Sequence, residues 1–247
     1  MNLLRAEHIT KSFDGATVIR DVSLTLRQGE FVCLLGVSGV GKSTLFNILS
    51  GLTVPDSGRV LLGDEEITGQ TGRIGYMQQK DLLLPHKRIV DNIALPLLLK
   101  GVPRRQARAQ VCAGLADFGL EGTERKYPGQ LSGGMRQRAA LYRTYLFNGE
   151  VALLDEPFSA LDAITKSQLH LWYLEMMSRL HMSTIFITHD IDEAIFLSDR
   201  IYIMSGAPGT ITQELVIDHP RPRTTRFTAS QDFIAYKQLI LDALKIQ

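Results

Sequence analysis

The chain has 247 residues, 27 Lys and Arg against 26 Asp and Glu, a formal net charge of +1, and is 45% hydrophobic and 21% charged. That balance excludes a disordered chain, and the near-zero charge argues against a general nucleic-acid binder. The length is enough to bury a substantial core without disulfide or metal staples. The two cysteines, Cys33 and Cys112, stand in no metal-ligand spacing, and Cys33 reads as a small buried hydrophobe. A reducing compartment, the cytoplasm, is the expectation.

Leu3 to Ile9, Ser23 to Leu26 and Phe31 to Leu35 read as strands separated by the turn signals Asp14-Gly15 and Gln28-Gly29. Met1 to Phe13 has no continuous apolar core of the kind a signal peptide needs. From Gly41 to Leu52 the period changes, with Leu45, Ile48, Leu49 and Leu52 on one helical stripe. A strand pair is predicted at Arg59–Leu62 and Arg73–Met77, followed by a mostly helical stretch from Leu82 to Phe147 broken at Pro103, Gly119 to Gly122 and Pro128-Gly129. Val151–Leu154 and Thr184–Thr188 read as strands that each lead toward a helix, Ile201–Met204 and Thr210–Val216 as late strands, and Gln231–Ile246 as a final helix. Pro220-Arg221-Pro222-Arg223 reads as a linker before it. This alternation predicts an α/β sheet with a helical insertion. No apolar run reaches the ~18 residues a membrane span requires. The nearest, Ile93 to Leu99, is short and contains Pro96.

Three segments carry chemistry. Gly36-Val37-Ser38-Gly39-Val40-Gly41-Lys42-Ser43 follows an apolar strand and opens a helix, the context of a phosphate-binding loop. Its glycines allow several N–H groups to converge on one anion, and the helix N-terminus adds partial positive charge. Lys42 is the candidate for the β- and γ-phosphates and the Ser43 hydroxyl for Mg²⁺. Val151-Ala152-Leu153-Leu154-Asp155-Glu156 reads as a buried parallel strand with carboxylates at its C-terminal end. Asp155 suits Mg²⁺, directly or through water, and Glu156 suits a general base for the attacking water. Leu131-Ser132-Gly133-Gly134-Met135-Arg136-Gln137-Arg138 precedes a helical run and forms a second anion nest from a hydroxyl and glycine amides.

This last segment resembles the signature motif of the ABC ATPases, and the resemblance extends over essentially the whole chain. It implies a P-loop NTPase (RecA-like) α/β core with an antiparallel β subdomain and an α-helical insertion. Residues 1–80 and 148–217 would form the nucleotide-binding core, 81–147 the helical subdomain and 218–247 a tail. ATP and Mg²⁺ are the implied ligands, with Gly36, Ser38, Gly39, Val40, Gly41, Lys42, Ser43 and Thr44 around the phosphates. Ser132, Gly133 and Gly134 would serve the nucleotide of a second subunit in a head-to-tail dimer. Gln79 matches the Q-loop glutamine that contacts Mg²⁺ and water. Gln78 is its rival, but the spacing to Leu83-Leu84-Pro85 favours Gln79. Asp162, in Ser159-Ala160-Leu161-Asp162, matches the D-loop, and His189, in Thr188-His189-Asp190, the switch histidine at the γ-phosphate. Phe13 falls where the family stacks an aromatic on adenine, and a core phenylalanine is the competing reading.

Within the family, Gln79 to Pro85, Asp91-Asn92-Ile93, Asp155 to Phe158, Thr188 to Ala194 and the tail from Arg221 resemble the ATP-binding subunits of nitrate/sulfonate/taurine-type importers. Two positions depart. His86 stands where those importers usually carry tryptophan, and Leu141-Tyr142-Arg143-Thr144-Tyr145 is bulkier than usual. The implied partners are a second ATPase subunit, a membrane permease at the cytoplasmic face and, indirectly, an extracellular solute-binding protein, with no nucleic acid. The alternative is a soluble ABC ATPase of DNA repair, translation or cluster assembly. That class is favoured by a coiled-coil insertion, a duplicated cassette or a basic stripe, none of which is visible. A P-loop GTPase or kinase is a further alternative, disfavoured by the lack of Asn-Lys-x-Asp and by the presence of the second nest.

Overall fold

The computed structural model describes residues 2–147, 150–159, 163–221 and 223–244. The chain opens with two long strands, β1 (Asn2–Phe13) and β2 (Ala16–Arg27). Asp14 and Gly15 between them both take positive φ, the turn geometry that matches the twist of a tight hairpin. There follow β3 (Phe31–Gly36), α1 (Lys42–Leu49), β4 (Ser57–Leu62), β5 (Glu65–Glu66) and β6 (Gly75–Met77). A helical stretch comes next, with α2 (Ile89–Ile93), α3 (Leu95–Leu99), α4 (Arg104–Gly114) and α5 (Gly133–Phe147). The remainder is β7 (Val151–Asp155), α6 (Ala163–Leu180), β8 (Ser183–Thr188), α7 (Ile191–Leu197), β9 (Arg200–Ser205), β10 (Thr210–Val216) and α8 (Gln231–Leu244).

The strands form two sheets, one in the order β2-β1-β4-β5 and one in the order β10-β9-β3-β8-β7-β6. The first is antiparallel, whereas the second is parallel apart from its β10 edge. Every residue of β3, β7 and β8 is buried, because both faces of the parallel sheet are covered. The period of two divides them between two cores. Val32 and Leu34 face the antiparallel sheet and α1, while Phe31, Cys33 and Leu35 face the helices of the opposite layer. Cys33 is therefore a packing residue, as its apolar context predicts.

Two features differ from the sequence reading. The segments at 59–62 and 73–77 do not pair with each other. β4 joins β1 and β5, whereas β6 pairs with β7 in the other sheet. Gly75 is held between Thr144 and Val151, a burial no local hairpin provides. The helical stretch begins at Ile89 rather than Leu82, because side chains claim the preceding backbone. Asn92, fully buried, accepts from Leu84 N–H at 2.6 Å and donates to the carbonyls of Leu84, Lys87 and Arg88. Asp81 accepts from Leu83 N–H at 3.0 Å. Among the described residues no helix is long and apolar enough to cross a membrane.

Candidate functional site

The loop from Gly36 to Gly41 lies at the C-terminal end of β3, in the middle of the parallel sheet. Its two ends tolerate only glycine. A Cβ on Gly36 would fall 2.5 Å from the Met204 carbonyl oxygen. Gly41 combines φ 106° with a Cβ position 2.4 Å from buried Ile19. Lys42 opens α1, folds back over the loop and donates to the carbonyls of Gly36 at 2.7 Å and Val37 at 2.9 Å. Burial holds its ammonium below the ordinary lysine range, against the pull of Glu156 and Asp155. Ser38, Gly39 and Ser43 are exposed, Thr44 half-buried and Val40 buried in the core. α1 starts directly after this loop, and Gly41 at its N-cap supplies no side-chain cap for the first N–H groups, which a helix leaves unsatisfied internally.

The carboxylates come from the end of β7. Asp155 Oδ2 accepts from Ser43 Oγ at 3.2 Å and from the Tyr76 hydroxyl at 3.4 Å. Burial raises the Asp155 carboxyl above the usual range, with Glu156 adding to it and the Ser43 hydrogen bond opposing. Glu156 has a left-handed backbone (φ 46°), which is costly for a residue with a side chain. Its N–H donates to the Ile187 carbonyl at 3.0 Å, directly after the Asp155–Ile187 pair of the β7–β8 register. Gln79 Nε2 donates to Glu156 Oε2 at 2.8 Å, and His189 Nδ1 lies 3.1 Å from Oε1, a bond that requires the proton on Nδ1. The structure thus brings Lys42, Ser43, Gln79, Asp155, Glu156 and His189 together from four parts of the sequence. Gln78, the rival of Gln79, lines a separate groove beside Leu82 and Leu95.

Ser132 is exposed at the start of α5. Its Oγ accepts from Met135 N–H at 3.3 Å and its carbonyl from Arg136 N–H. Gly133 is half-buried, and Gly134 packs near Thr165 of α6. Among the described residues the hydrogen bonds of Ser132 stay within its own segment, so this second nest is not joined to the Gly36–Ser43 loop of the same chain. Asp162 lies outside the described residues.

The sequence pattern of the family described as ABC transporter matches residues 19–159. The chain belongs to the ABC transporter family. It is an ATP-binding, ATP-hydrolysing cassette of that family. It is 41% identical to the formylaminopyrimidine import ATP-binding protein ThiZ of Halalkalibacterium halodurans, over 83% of this chain and 81% of that protein. It is 35% identical to the taurine import ATP-binding protein TauB of Escherichia coli O157:H7, over 97% and 96%. Among solved structures, the dimeric post-hydrolysis state of the ATP-binding cassette MJ0796 bound to ADP and Pi matches with a TM-score of 0.74 at 26% identity, over 88% of this chain and all of that one.

Several features of this ABC ATPase were open in its sequence. Phe13 is 45% exposed at the end of β1, with the Lys11 ammonium 5.4 Å from its ring centroid, so it is not a core residue. Tyr142 is accommodated by packing. Its ring stacks on Phe118 at 4.1 Å, its hydroxyl donates to the Val111 carbonyl at 3.2 Å, and Gly114 leaves the room. His86 is exposed. Tyr76 was not singled out in the sequence, because one tyrosine in a short strand carries no signal. Glu193 was legible only as part of Thr188–Ala194. Its carboxylate accepts from Thr188 Oγ1 and pairs with Lys166 Nζ, each at 2.5 Å. The Asp190-x-x-Glu193 spacing signals the cap that Asp190 provides to the N–H groups of Asp192 and Glu193.

Proposed function

We propose that the chain hydrolyses ATP in a head-to-tail dimer and so drives a separate membrane permease that imports a small solute of the nitrate/sulfonate/taurine class. The observation that carries the reading is the convergence of Gln79 and His189 on the two oxygens of Glu156, next to Lys42 and Ser43, while the Ser132–Gly134 nest stays apart. One chain then holds two incomplete halves of a polyphosphate site, and two chains head to tail complete both.

In this reading Lys42 and the amides from Gly36 to Thr44 hold the phosphates, Phe13 stacks on adenine, and the partner copy supplies Ser132, Gly133 and Gly134 to the γ-phosphate. Asp162 acts across the dimer. Ser43 Oγ and Asp155 Oδ2, 3.2 Å apart, are hard oxygen donors of the type Mg²⁺ prefers, and Gln79 has an amide oxygen to add. Bound there, Mg²⁺ would offset the charge of the β- and γ-phosphates. Glu156 takes a proton from the attacking water, and Gln79 and His189 orient its carboxylate. His189 reaches the γ-phosphate when that carboxylate releases it. Positioning and charge neutralisation, rather than covalent chemistry, carry the rate.

A groove of about 390 Å³ between the 71–82 segment and α3 exposes Leu52, Leu82 and Leu99. We assign it to a cytoplasmic helix of the permease, which makes the chain a peripheral protein of the cytoplasmic membrane face. A solute-binding protein outside the cell would then select the cargo together with the permease, and nucleic acid has no part. Glu156→Gln tests the shared site. Hydrolysis should fall by roughly 10²–10⁴ while ATP binding persists, and ATP should shift the variant from monomer to dimer on gel filtration. A variant that stays monomeric at saturating ATP overturns the reading.

A further inference from the structure

The Arg221–Arg223 stretch, which reads as a linker in the sequence, is built into the molecule. Arg223 is 2% exposed and among the described residues forms no ion pair. Its Nη1 donates to the carbonyls of Ile195, Phe196 and Ser198 at 3.0, 3.2 and 2.5 Å. Its Nη2 donates to Ile217 and His219, and Nε to His219. Arg221 donates to the Leu197 carbonyl at 2.8 Å and pairs with Asp199 at 3.0 Å. Two tail arginines therefore take four successive carbonyls, 195 to 198, at the C-terminal end of α7. These are the groups a helix leaves unpaired and where its dipole favours a cation.

That helix needs the support. It has seven residues, too few to persist by its own hydrogen bonds. Its other end carries the switch segment, since His189 immediately precedes the Asp190 cap. Lys237 of α8 pairs with Asp192 in the first turn at 2.7 Å, so the tail holds α7 at both ends. Burial, with Arg221 adding, pulls the Arg223 guanidinium down to about 10, as expected of a cation in a costly place, and the carbonyl bonds offset that cost.

We propose that Arg223, assisted by Arg221, is a positioning residue for His189, holding α7 so that the imidazole stays aimed at Glu156 and the nucleotide. The proposal rests on the role given to His189 above. The test compares the full chain with Arg223→Met, His189→Ala and the double variant, measuring kcat, KM for ATP and amide exchange over residues 191–198. Arg223→Met should lower kcat about tenfold, leave KM within about twofold and speed exchange in α7. The double variant should be no slower than His189→Ala alone, since both changes act through one side chain. An equal loss from Arg223→Met with and without His189 overturns the proposal, because that is general damage. A wild-type kcat in Arg223→Met, with His189→Ala impaired, overturns the proposal and leaves the site reading standing. A wild-type kcat in His189→Ala overturns both. Should Arg223→Met not fold, the partly exposed Arg221→Met decides. About a threefold lower kcat at unchanged KM supports the proposal, and unchanged kcat with unchanged exchange overturns it.

Discussion

Lys42, proposed above to hold phosphate, illustrates how such a residue loads the fold that carries it. Its ammonium lies over two loop carbonyls, and burial lowers its affinity for the proton relative to free lysine. A lysine whose folded pKa lies below its unfolded value disfavours folding at all pH values beneath that folded pKa, and the penalty is relieved as pH rises toward 10.5. Lys42→Met, close in length and uncharged, should therefore leave the melting temperature of the nucleotide-free chain unchanged or higher. It should weaken ATP binding by roughly a hundredfold, the worth of one or two charge-assisted bonds. A calorimetric titration and a thermal melt of the same sample separate the two effects. Glu156 presents the complementary case, because its strain is in the backbone rather than the charge. The acidic pair after four apolar residues identified the position in the sequence, but the left-handed turn that aims the side chain had no local signal.

At the scale of elements, Asp91 fastens α2 to α4. Its carboxylate takes Arg108 through two bonds at 2.8 and 2.7 Å and Arg104 at 3.3 Å. The Arg108 hydrogen bond is the main reason the carboxyl sits below the usual range, and the carboxylate is nearly buried. Because folding lowers this pKa, the stabilisation is complete above about pH 4 and disappears as pH falls through the folded value. Asp91→Asn should cost about 1–2 kcal/mol at neutral pH, discounted for the partly exposed arginines. Chemical denaturation at pH 7 and pH 3 checks this, with the gap between variant and parent narrowing at the lower value. The neighbouring Asn92 closes the turn that keeps Leu82 to Arg88 out of helix. Helical periodicity in that stretch is a property of its leucines alone, and it loses to a buried amide that satisfies four backbone groups at once. The α1 stripe of Leu45, Ile48 and Leu49, by contrast, was legible because it buries one face, whereas Leu52, expected on the same stripe, lies beyond the end of the helix and is exposed.

For the whole molecule, the exposed Leu99 at the end of α3 is 83% accessible and borders the groove assigned to the permease. Leu99→Asp should reduce ATP-driven transport at least about tenfold in vesicles containing the permease, since it places a charge in an apolar contact. Turnover by the chain alone should stay within about twofold. Equal loss of both removes the assignment of the groove. By itself the sequence determined the strand–loop–helix at Gly36–Ser43, the candidate phosphate loop, the strand ending in Asp155-Glu156 and the helix that opens after Ser132, because each depends on residue types within a few positions of one junction. Only the tertiary structure decided that β4 and β6 belong to different sheets, that Gln79, favoured by its spacing, meets the Glu156 carboxylate, and that Arg221 and Arg223 of the tail grip α7. Each of these is a contact between segments far apart in the chain, whose partners are chosen by burial on both faces of a sheet and by the need of buried carbonyls for donors.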